Sequence, residues 1–208
     1  DKIEDVIFIS FTNKTKNIPD NIISSGINAT SQLNTIKKFI KSMTKDDFLV
    51  CYHDPTVNGT MVSDLTFDEL KKVKKSICKL EEVVDICKDR VGVNLEIKEI
   101  GFEDKVVENL TANFSYDNFF VTSFSSLVLR KIKKLDCKIN TGLLVGDAIN
   151  FQVFYKIIKE SIFMTEFYYS KADFISPFYK IYEMGLMKRF EDLGIPIQLW
   201  TVNDLVFL

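Results

Sequence analysis

The sequence lacks several features that would each point to a particular class of protein. Its longest apolar runs, such as "FLVCY" and "GLLVG", fall far short of the roughly 20 residues that a membrane-spanning helix needs. The net charge is -2, and no basic block is dense enough to hold a nucleic-acid backbone. We therefore expect a domain with no transmembrane segment and no nucleic-acid partner.

Two further residue types are scarce in a way that limits the chemistry. The four cysteines, Cys51, Cys78, Cys87 and Cys137, contain no C-x-x-C pair, which favours buried free thiols over a zinc or redox site. His53 is the single histidine, so this sequence cannot supply a pair of histidines as acid and base. The chain begins at Asp1 without a signal peptide, and a leader or anchor outside it stays an open alternative, as do the compartment and the oligomeric state.

Short apolar strands alternate with amphipathic helical stretches along the chain. The predicted strands are 6–10, 48–52, 91–97, 118–124, 141–145, 172–176 and 195–202. A capping box at Thr66 to Glu69 predicts one helix start, and "LVLRKIKKL" and "FYKIYEMGLMKRFEDLG" predict further helices, the latter ended by Gly194. This alternation predicts an α/β fold with a parallel sheet. A (β/α)8 barrel is favoured over a doubly wound sheet because no glycine-rich phosphate loop follows the first strand.

The strand "VNLEIKE" carries the clearest chemical signal. Because side chains alternate along a strand, Asn94, Glu96 and Lys98 share one face, while Leu95 and Ile97 share the other. In a barrel this places a carboxylate and an ammonium near the C-terminal end of a strand, where barrel enzymes collect catalytic groups. A barrel-interior ion pair without catalytic work explains the same spacing, and both interpretations stay open.

Two single aromatic or imidazole residues lie at predicted strand ends. His53, in "CYHDP", follows the strand at 48–52 and fits either an acid/base residue or a hydrogen-bonded turn residue. Trp200, in "QLWTVND", fits either a wall for substrate stacking or a core residue. The residues alone do not decide between these roles.

Several stretches, taken in order, resemble one family. They are "TKDDFLVCYHDPTVNG" with "VSDLTFDEL", then "VNLEIKE", "VTSFSSLVLRKIKKLDCKINTGLLVG", "ADFISP" and "IQLWTVND", from about Thr44 to the end of the chain. The sequence is identified by these motifs as similar to the glycerophosphodiester phosphodiesterase family, relatives of the barrel-fold phosphoinositide phospholipases C. The resemblance implies one (β/α)8 barrel domain over residues 1–208, with a small insertion at about 44–65 after the second strand.

The resemblance also implies a reaction and a set of site residues. Family members hydrolyse glycerophosphodiesters to glycerol 3-phosphate and an alcohol, using a divalent metal held by carboxylates and two histidines as acid and base. By position, His53 matches the second histidine, Glu96 a metal-ligating glutamate, Lys98 the lysine that follows it, and Trp200 the tryptophan beside the substrate. Ca²⁺ or Mg²⁺ is the implied cofactor of an active member.

The N-terminal quarter departs from the family. Phe11, Thr12 and Asn13 stand where the family has His-Arg-Gly, and Pro19 to Ile22 where it has Pro-Glu-Asn-Thr. Lys38 and Ile40 stand at its Glu-x-Asp pair, so Glu96 is the one retained metal ligand. The chain also stops at "DLVFL", before the family's last strand–helix unit, and we favour a shortened sequence as the reason.

These departures lead to three hypotheses of function. The first is a catalytically impaired domain, with no metal, that binds a phosphate-bearing glycerol or lipid head group, or a protein partner; Lys38 and Lys98 would hold the phosphate as fixed cations. An alternative places "KKFIK" on an exposed edge, leaving Lys38 without this role. The second hypothesis is an active phosphoric diester hydrolase of lipid and glycerol metabolism, with an unusual ligand set around His53 and Glu96 that draws on Asp46, Asp47 or Asp54. The third is a structural module.

Overall fold

A parallel sheet wrapped by helices forms the body of the protein. The computed structural model describes residues 22–24, 35–52, 54–89, 92–146 and 151–200, and at positions 22–24, 35–41 and 151–153 it describes the backbone alone. The strands are β1 (Ile22–Ser24), β2 (Thr35–Met43), β3 (Leu49–Cys51), β4 (Thr56–Val57), β5 (Thr60–Met61), β6 (Cys78–Lys79), β7 (Gly92–Ile97), β8 (Phe119–Ser123), β9 (Thr141–Val145), β10 (Phe174–Pro177) and β11 (Ile197–Leu199). The helices are α1 (Phe67–Val73), α2 (Leu80–Cys87), α3 (Glu103–Asn113), α4 (Ser126–Leu135), α5 (Phe151–Phe163), α6 (Thr165–Ser170), α7 (Tyr179–Glu183) and α8 (Lys188–Asp192).

The main sheet runs in the order β1-β11-β10-β9-β8-β7-β2-β3-β6. Every pair from β1 across to β2 is parallel, and a helix follows each of β7, β8, β9 and β10. The predicted α/β fold with a parallel sheet is therefore confirmed. In the part of the chain that the structure describes, β1 pairs directly with β11, with no further strand between them.

The two faces of the parallel strands differ in chemistry. On the outer face, Leu95, Val121, Leu143 and Ile175 are buried in one large apolar core with the helices. The other face carries Asn94, Glu96, Thr122, Gly142 and Phe174 along the matching registers. The alternation predicted for β7 is therefore confirmed, and it directs the polar residues of that strand to the inner face.

The segment between β2 and β7 forms a small unit with its own core. It contains the hairpin β4–β5, whose turn residues Asn58 and Gly59 take positive φ values of 49° and 83°. A short 3-10 helix (Val62–Asp64) leads to α1, and the predicted capping box between Thr66 and Glu69 is present. Six buried residues form the separate core: Val50, Val57, Val62, Phe67, Leu70 and Ile77.

Some predicted elements differ from the structure. The strand predicted at 48–52 is present as β3, and it lies antiparallel to β2 because a short turn at 44–48 joins the two. The helix predicted over 178–194 is two helices, α7 and α8, because Gly185 adopts a φ of +71°, which an α-helix cannot continue through. Gly194 follows α8 as predicted, also at positive φ.

Two other sequence predictions have mixed outcomes. All four cysteines are thiols outside any disulfide, as predicted, but only Cys51 and Cys87 are buried, while Cys78 is half-buried and Cys137 exposed. The strand predicted at 6–10 lies outside the described residues, as do Phe11, Thr12 and Asn13. Ile22, which the family resemblance aligns with the Pro-Glu-Asn-Thr stretch, begins β1, the first of the described strands.

Candidate functional site

Glu96 and Lys98 lie together at the C-terminal end of β7. Glu96 is 2% exposed, and its Oε1 lies 3.8 Å from Nζ of Lys98, whose side chain is 18% exposed. Such burial of a carboxylate is unfavourable unless a cation or hydrogen bonds compensate the charge. Lys98 follows the last strand residue and supplies this cation from the mouth of the sheet, where it is within reach of solvent.

Hydrogen bonds between β7 and β8 fix the strand that carries this pair. Oγ1 of Thr122, the residue opposite Glu96, donates a hydrogen bond to Oδ1 of Asn94 at 2.9 Å. The hydroxyl of Ser123 donates to the carbonyl oxygen of Ile97 at 2.6 Å, on the residue between Glu96 and Lys98. All of these polar groups are buried or nearly so, which makes the end of β7 a rigid support for Lys98.

Trp200 directly follows β11, and its ring packs against other aromatic residues. Its Nε1 donates to the carbonyl oxygen of Ser176 at 2.8 Å. The ring packs edge-on against Phe124, at 5.7 Å between centroids, and in a tilted arrangement against Phe178, at 5.5 Å. Since the indole N–H is already paired, Trp200 can offer a ligand its ring surface but no hydrogen-bond donor.

The register of the sheet connects these residues to one edge. Glu96 stands opposite Thr122, so the position of Lys98 corresponds to that of Phe124, two residues further along each strand. Phe124 in turn contacts Trp200. The predicted residues Glu96, Lys98 and Trp200 therefore all lie at the C-terminal edge of the parallel strands, with Phe124 between the lysine and the tryptophan.

Two predicted site residues have no described side chain. His53 lies outside the described residues, and Lys38 is described by its backbone alone. In the register of β2 and β7, Lys38 stands opposite Leu95, while Lys37 stands opposite Asn94 and Phe39 opposite Glu96. Because opposite residues share a face of the sheet, this register places position 37, rather than 38, on the face of Asn94. The role of Lys38 stays a prediction that the register does not favour.

A model of the glycerophosphoryl diester phosphodiesterase family matches residues 42–205, which is most of the chain. The chain belongs to this family. A glycerophosphodiester phosphodiesterase from Caldanaerobacter subterraneus subsp. tengcongensis is 28% identical, and the similarity covers 66% of this chain and 66% of that protein. The chain thus spans just under two thirds of the length of this curated relative. The match to the family begins at residue 42, beyond Lys38.

Solved structures of phosphodiesterases have the same fold as this family member. The glycerophosphodiester phosphodiesterase from Thermotoga maritima superposes with a TM-score of 0.61 at 22% identity, covering 82% of this chain and 74% of that one. An Oleispira antarctica phosphodiesterase in complex with the product sn-glycerol-3-phosphate gives a TM-score of 0.62 at 18% identity, covering 82% and 74%. The fold is thus an α/β barrel of the TIM type. None of the described helices has the length and apolar character needed to cross a bilayer.

The divalent metal of the family can be tested against the donor set of this chain. Ca²⁺ and Mg²⁺ take six or more oxygen ligands, among which carboxylates supply the negative charge. Among the described residues, no cluster of three or more acidic, histidine or cysteine side chains could hold an ion, and Glu96 is paired with Lys98. Asp46 accepts a hydrogen bond from the Phe67 amide at the start of α1, and Asp47 lies 3.6 Å from Nζ of Lys105. The described donors therefore do not fit such an ion.

Two residues that shape this edge, Phe124 and Ser176, were not among the predicted site residues. Phe124 was predicted only as part of the strand at 118–124. It directly follows β8, continues the inner-face positions of that strand and contacts Trp200. Ser176 lies in the motif "ADFISP", but its contacts are visible only in the tertiary structure. Its carbonyl oxygen accepts the hydrogen bond from the Trp200 N–H, and its hydroxyl donates to the carbonyl oxygen of Gln198 at 2.8 Å. The signal for Phe124 was its even spacing from Phe120 and Thr122 along the strand.

Proposed function

We propose that this family member binds a phosphate-bearing glycerol compound at the C-terminal edge of its barrel and hydrolyses glycerophosphodiesters poorly or not at all. The observation that carries the proposal is the Glu96–Lys98 pair, which places an ammonium group, 18% exposed, at the mouth of the barrel, 3.8 Å from a buried carboxylate. A phosphate entering the mouth would exchange this long contact for charge-assisted hydrogen bonds from the ammonium of Lys98.

The neighbouring residues supply the remaining parts of such a pocket. The ring of Trp200, held by Ser176 and backed by Phe178, offers an apolar surface for the carbon atoms of a glycerol group. The product sn-glycerol-3-phosphate, bound by the Oleispira antarctica protein of the same fold, has this combination of a phosphate and a short carbon chain. Glycerol 3-phosphate is therefore the first ligand to test.

The proposed loss of catalysis rests on the residues that general acid–base chemistry needs. With His53 as its single histidine, the chain holds one half of the acid/base pair that the family uses. Glu96 alone is a poor cage for a divalent ion, and its burial beside Lys98 satisfies the carboxylate in another way. His53 would then remain as a pocket residue that contacts the ligand.

An active phosphoric diester hydrolase is the second candidate, and membership of the family supports it equally. In this alternative His53 acts as acid or base, and carboxylates outside the described residues complete a site for Ca²⁺ or Mg²⁺ with Glu96. A structural or partner-binding module is the third candidate. The three differ in what they bind and whether turnover follows.

Calorimetric titration with CaCl₂, MgCl₂ and sn-glycerol 3-phosphate, beside hydrolysis of glycerophosphocholine, separates the candidates. We expect glycerol 3-phosphate to bind without metal, to lose affinity in Lys98→Met, and to bind without turnover of the diester. Turnover that needs metal and disappears in His53→Ala would instead establish the hydrolase. Absence of both binding and turnover would leave the structural module.

A matched pair of variants tests the lysines of β2. Lys38→Glu should abolish phosphate binding if Lys38 lies at the pocket. Lys37→Glu should abolish it instead if position 37, which stands opposite Asn94, is the one at the pocket. Both variants change the charge of the same strand by the same amount. If both variants bind phosphate as tightly as the parent protein does, neither lysine of β2 contributes to the pocket.

A further inference from the structure

A second cavity opens beside the mouth, between the start of α4 and the helices α5 and α6. It has a volume of about 760 Å³, and Phe124 forms part of its wall. Phe124 also packs against Trp200, so one aromatic side chain separates this cleft from the proposed glycerol phosphate site. The cleft therefore adjoins the aromatic residues of the proposed glycerol phosphate site.

The walls of the cleft include apolar side chains that are unusually exposed. Leu127 on α4 is 53% exposed and Tyr155 on α5 is 66% exposed, and both face the cleft with Phe124. Surfaces of this kind pack well against the carbon face of a small polyol, and concave sites lined by aromatic residues with a few polar groups are typical ligand sites.

The charged residues of the cleft fall into two groups. Glu160 is 5% exposed and is fully engaged, since its two carboxylate oxygens accept hydrogen bonds from the amides of Phe167 and Glu166 at the start of α6. The carboxylate of Glu166 accepts a hydrogen bond from the hydroxyl of Ser126 on the α4 side. These carboxylates thus join α5, α6 and α4 and fix the shape of the cleft.

Lys156 and Lys159 form the second group, on the exposed side of α5. They are spaced three residues apart, so both ammonium groups can reach one ligand group across a single helical turn. Among the described residues, no carboxylate forms an ion pair with either of them. The α5 wall is therefore cationic, while the hydroxyl of Ser126 on α4 and the carboxylate of Glu166 on α6 can accept hydrogen bonds from alcohol groups.

We propose that this cleft is the subsite for the alcohol half of the diester, and that it selects a hydroxyl-bearing alcohol with a second phosphate. The first phosphate would lie at Lys98, the connecting polyol would pass Phe124, and the second phosphate would bind Lys156 and Lys159. This inference rests on the proposed function, because it assigns the first phosphate to the Lys98 site.

A matched pair of ligands isolates the second phosphate. Glycerophosphoglycerol has one phosphodiester, and 1,3-bis(sn-glycero-3-phospho)glycerol has two, separated by one glycerol. We expect calorimetry to show the second ligand binding roughly five- to tenfold more tightly, a size appropriate to partly exposed ion pairs. The preference should disappear in Lys156→Glu/Lys159→Glu and decrease as NaCl is raised. Binding of sn-glycerol 3-phosphate should remain.

Lys75→Glu/Lys134→Glu is the control, because it makes the same charge change at two exposed lysines away from the cleft. A preference that persists in the cleft variant, or that falls equally in the control, would contradict the subsite. Equal affinity for both ligands in the parent protein would also overturn it while leaving the proposed function intact, provided that glycerol 3-phosphate binds. Failure of all three ligands to bind would overturn both.

Discussion

The two edges of the parallel sheet use polar residues in opposite ways. At the N-terminal edge, the carboxylate of Asp173 accepts a 2.7 Å hydrogen bond from the Thr141 amide and pairs with Lys133 at 2.6 Å, which joins β10, β9 and α4. At the C-terminal edge, Lys98 meets its carboxylate at 3.8 Å. The first edge is closed by short, mutually satisfied contacts, whereas the ion pair at the second edge is longer and its lysine lies within reach of solvent.

Side-chain size follows the same division. Near the N-terminal edge, the ring of Phe174 lies directly over Gly142 and packs edge-on against Phe120 at 5.6 Å. Near the C-terminal edge, Phe124, which packs against Trp200, lines a cavity instead of filling one. Barrel folds commonly separate stability and function in this way, so substitutions at the two edges should have separable effects.

The largest expected effect is on stability, from Gly142→Ala. A Cβ at this position would lie 2.1 Å from Cε2 of Phe174, so the ring or the strand must move. We expect the free energy of unfolding in urea to fall by about 3 kcal/mol, at the upper end of typical overpacking costs. In a Phe174→Leu background the same change should cost much less. Equal costs in the two backgrounds would show that the Phe174 ring is not the obstacle.

Asp173→Asn should have the next largest effect. It removes the charge that compensates Lys133, whose side chain is only 9% exposed, and we expect a loss of about 2 kcal/mol in urea unfolding. Affinity for sn-glycerol 3-phosphate should not change. Asp192→Asn is the control, because it breaks an exposed pair with Lys188 and should cost less than about 0.5 kcal/mol. Similar losses in the two variants would argue against a special role of the N-terminal edge.

The double variant Glu96→Gln/Lys98→Met tests the C-terminal edge. Removing both charges of a buried pair is often near neutral for stability, so we expect a change in unfolding free energy within about 1 kcal/mol. Affinity for sn-glycerol 3-phosphate should fall at least tenfold, about 1.4 kcal/mol. Lys98→Met alone should be less stable than the double variant, since it leaves Glu96 buried without this cation. A large loss of stability with unchanged binding would reverse the assignment of the two edges.

The smallest expected effect is a pH dependence at the N-terminal edge. The hydroxyl of Tyr116 donates to Asp136 at 2.6 Å, and this bond, with the Lys138 amide, holds the pKa of Asp136 below its ordinary value of 3.8. The interaction stabilises the fold above that value and is lost as the pH falls through the lowered pKa. Tyr116→Phe should therefore reduce the loss of stability below about pH 3.8, measured by urea unfolding. An unchanged acid profile would contradict this.

Local residue order was sufficient to predict much of the fold and part of the site. The strands β7, β8 and β9, the capping box at Thr66 and the alternation that turns Glu96 inward are all confirmed. These features depend on neighbours within a few residues, which the sequence displays directly. Membership of the family followed from the motifs on the same elements.

The position of Lys38 shows the limit of this reasoning. Its assignment depended on counting without a gap along β2, whereas the face of each residue depends on how β2 aligns with β7, a contact between distant segments. A shift of one residue exchanges Lys37 and Lys38. The break at Gly185 was missed for a related reason: a glycine is compatible with a helix until the packing of the chain around it requires a positive φ.

The sequence by itself determined that this chain is an α/β phosphodiesterase-family domain with Glu96 and Lys98 on one strand face and a single histidine. The tertiary structure decided that the Trp200 N–H is taken by Ser176, that Phe124 lies between the mouth and a second cleft, and that Lys156 and Lys159 line that cleft. The reason is physical: periodicity is encoded by adjacent residues, whereas cavities and partners arise where elements far apart in the chain meet.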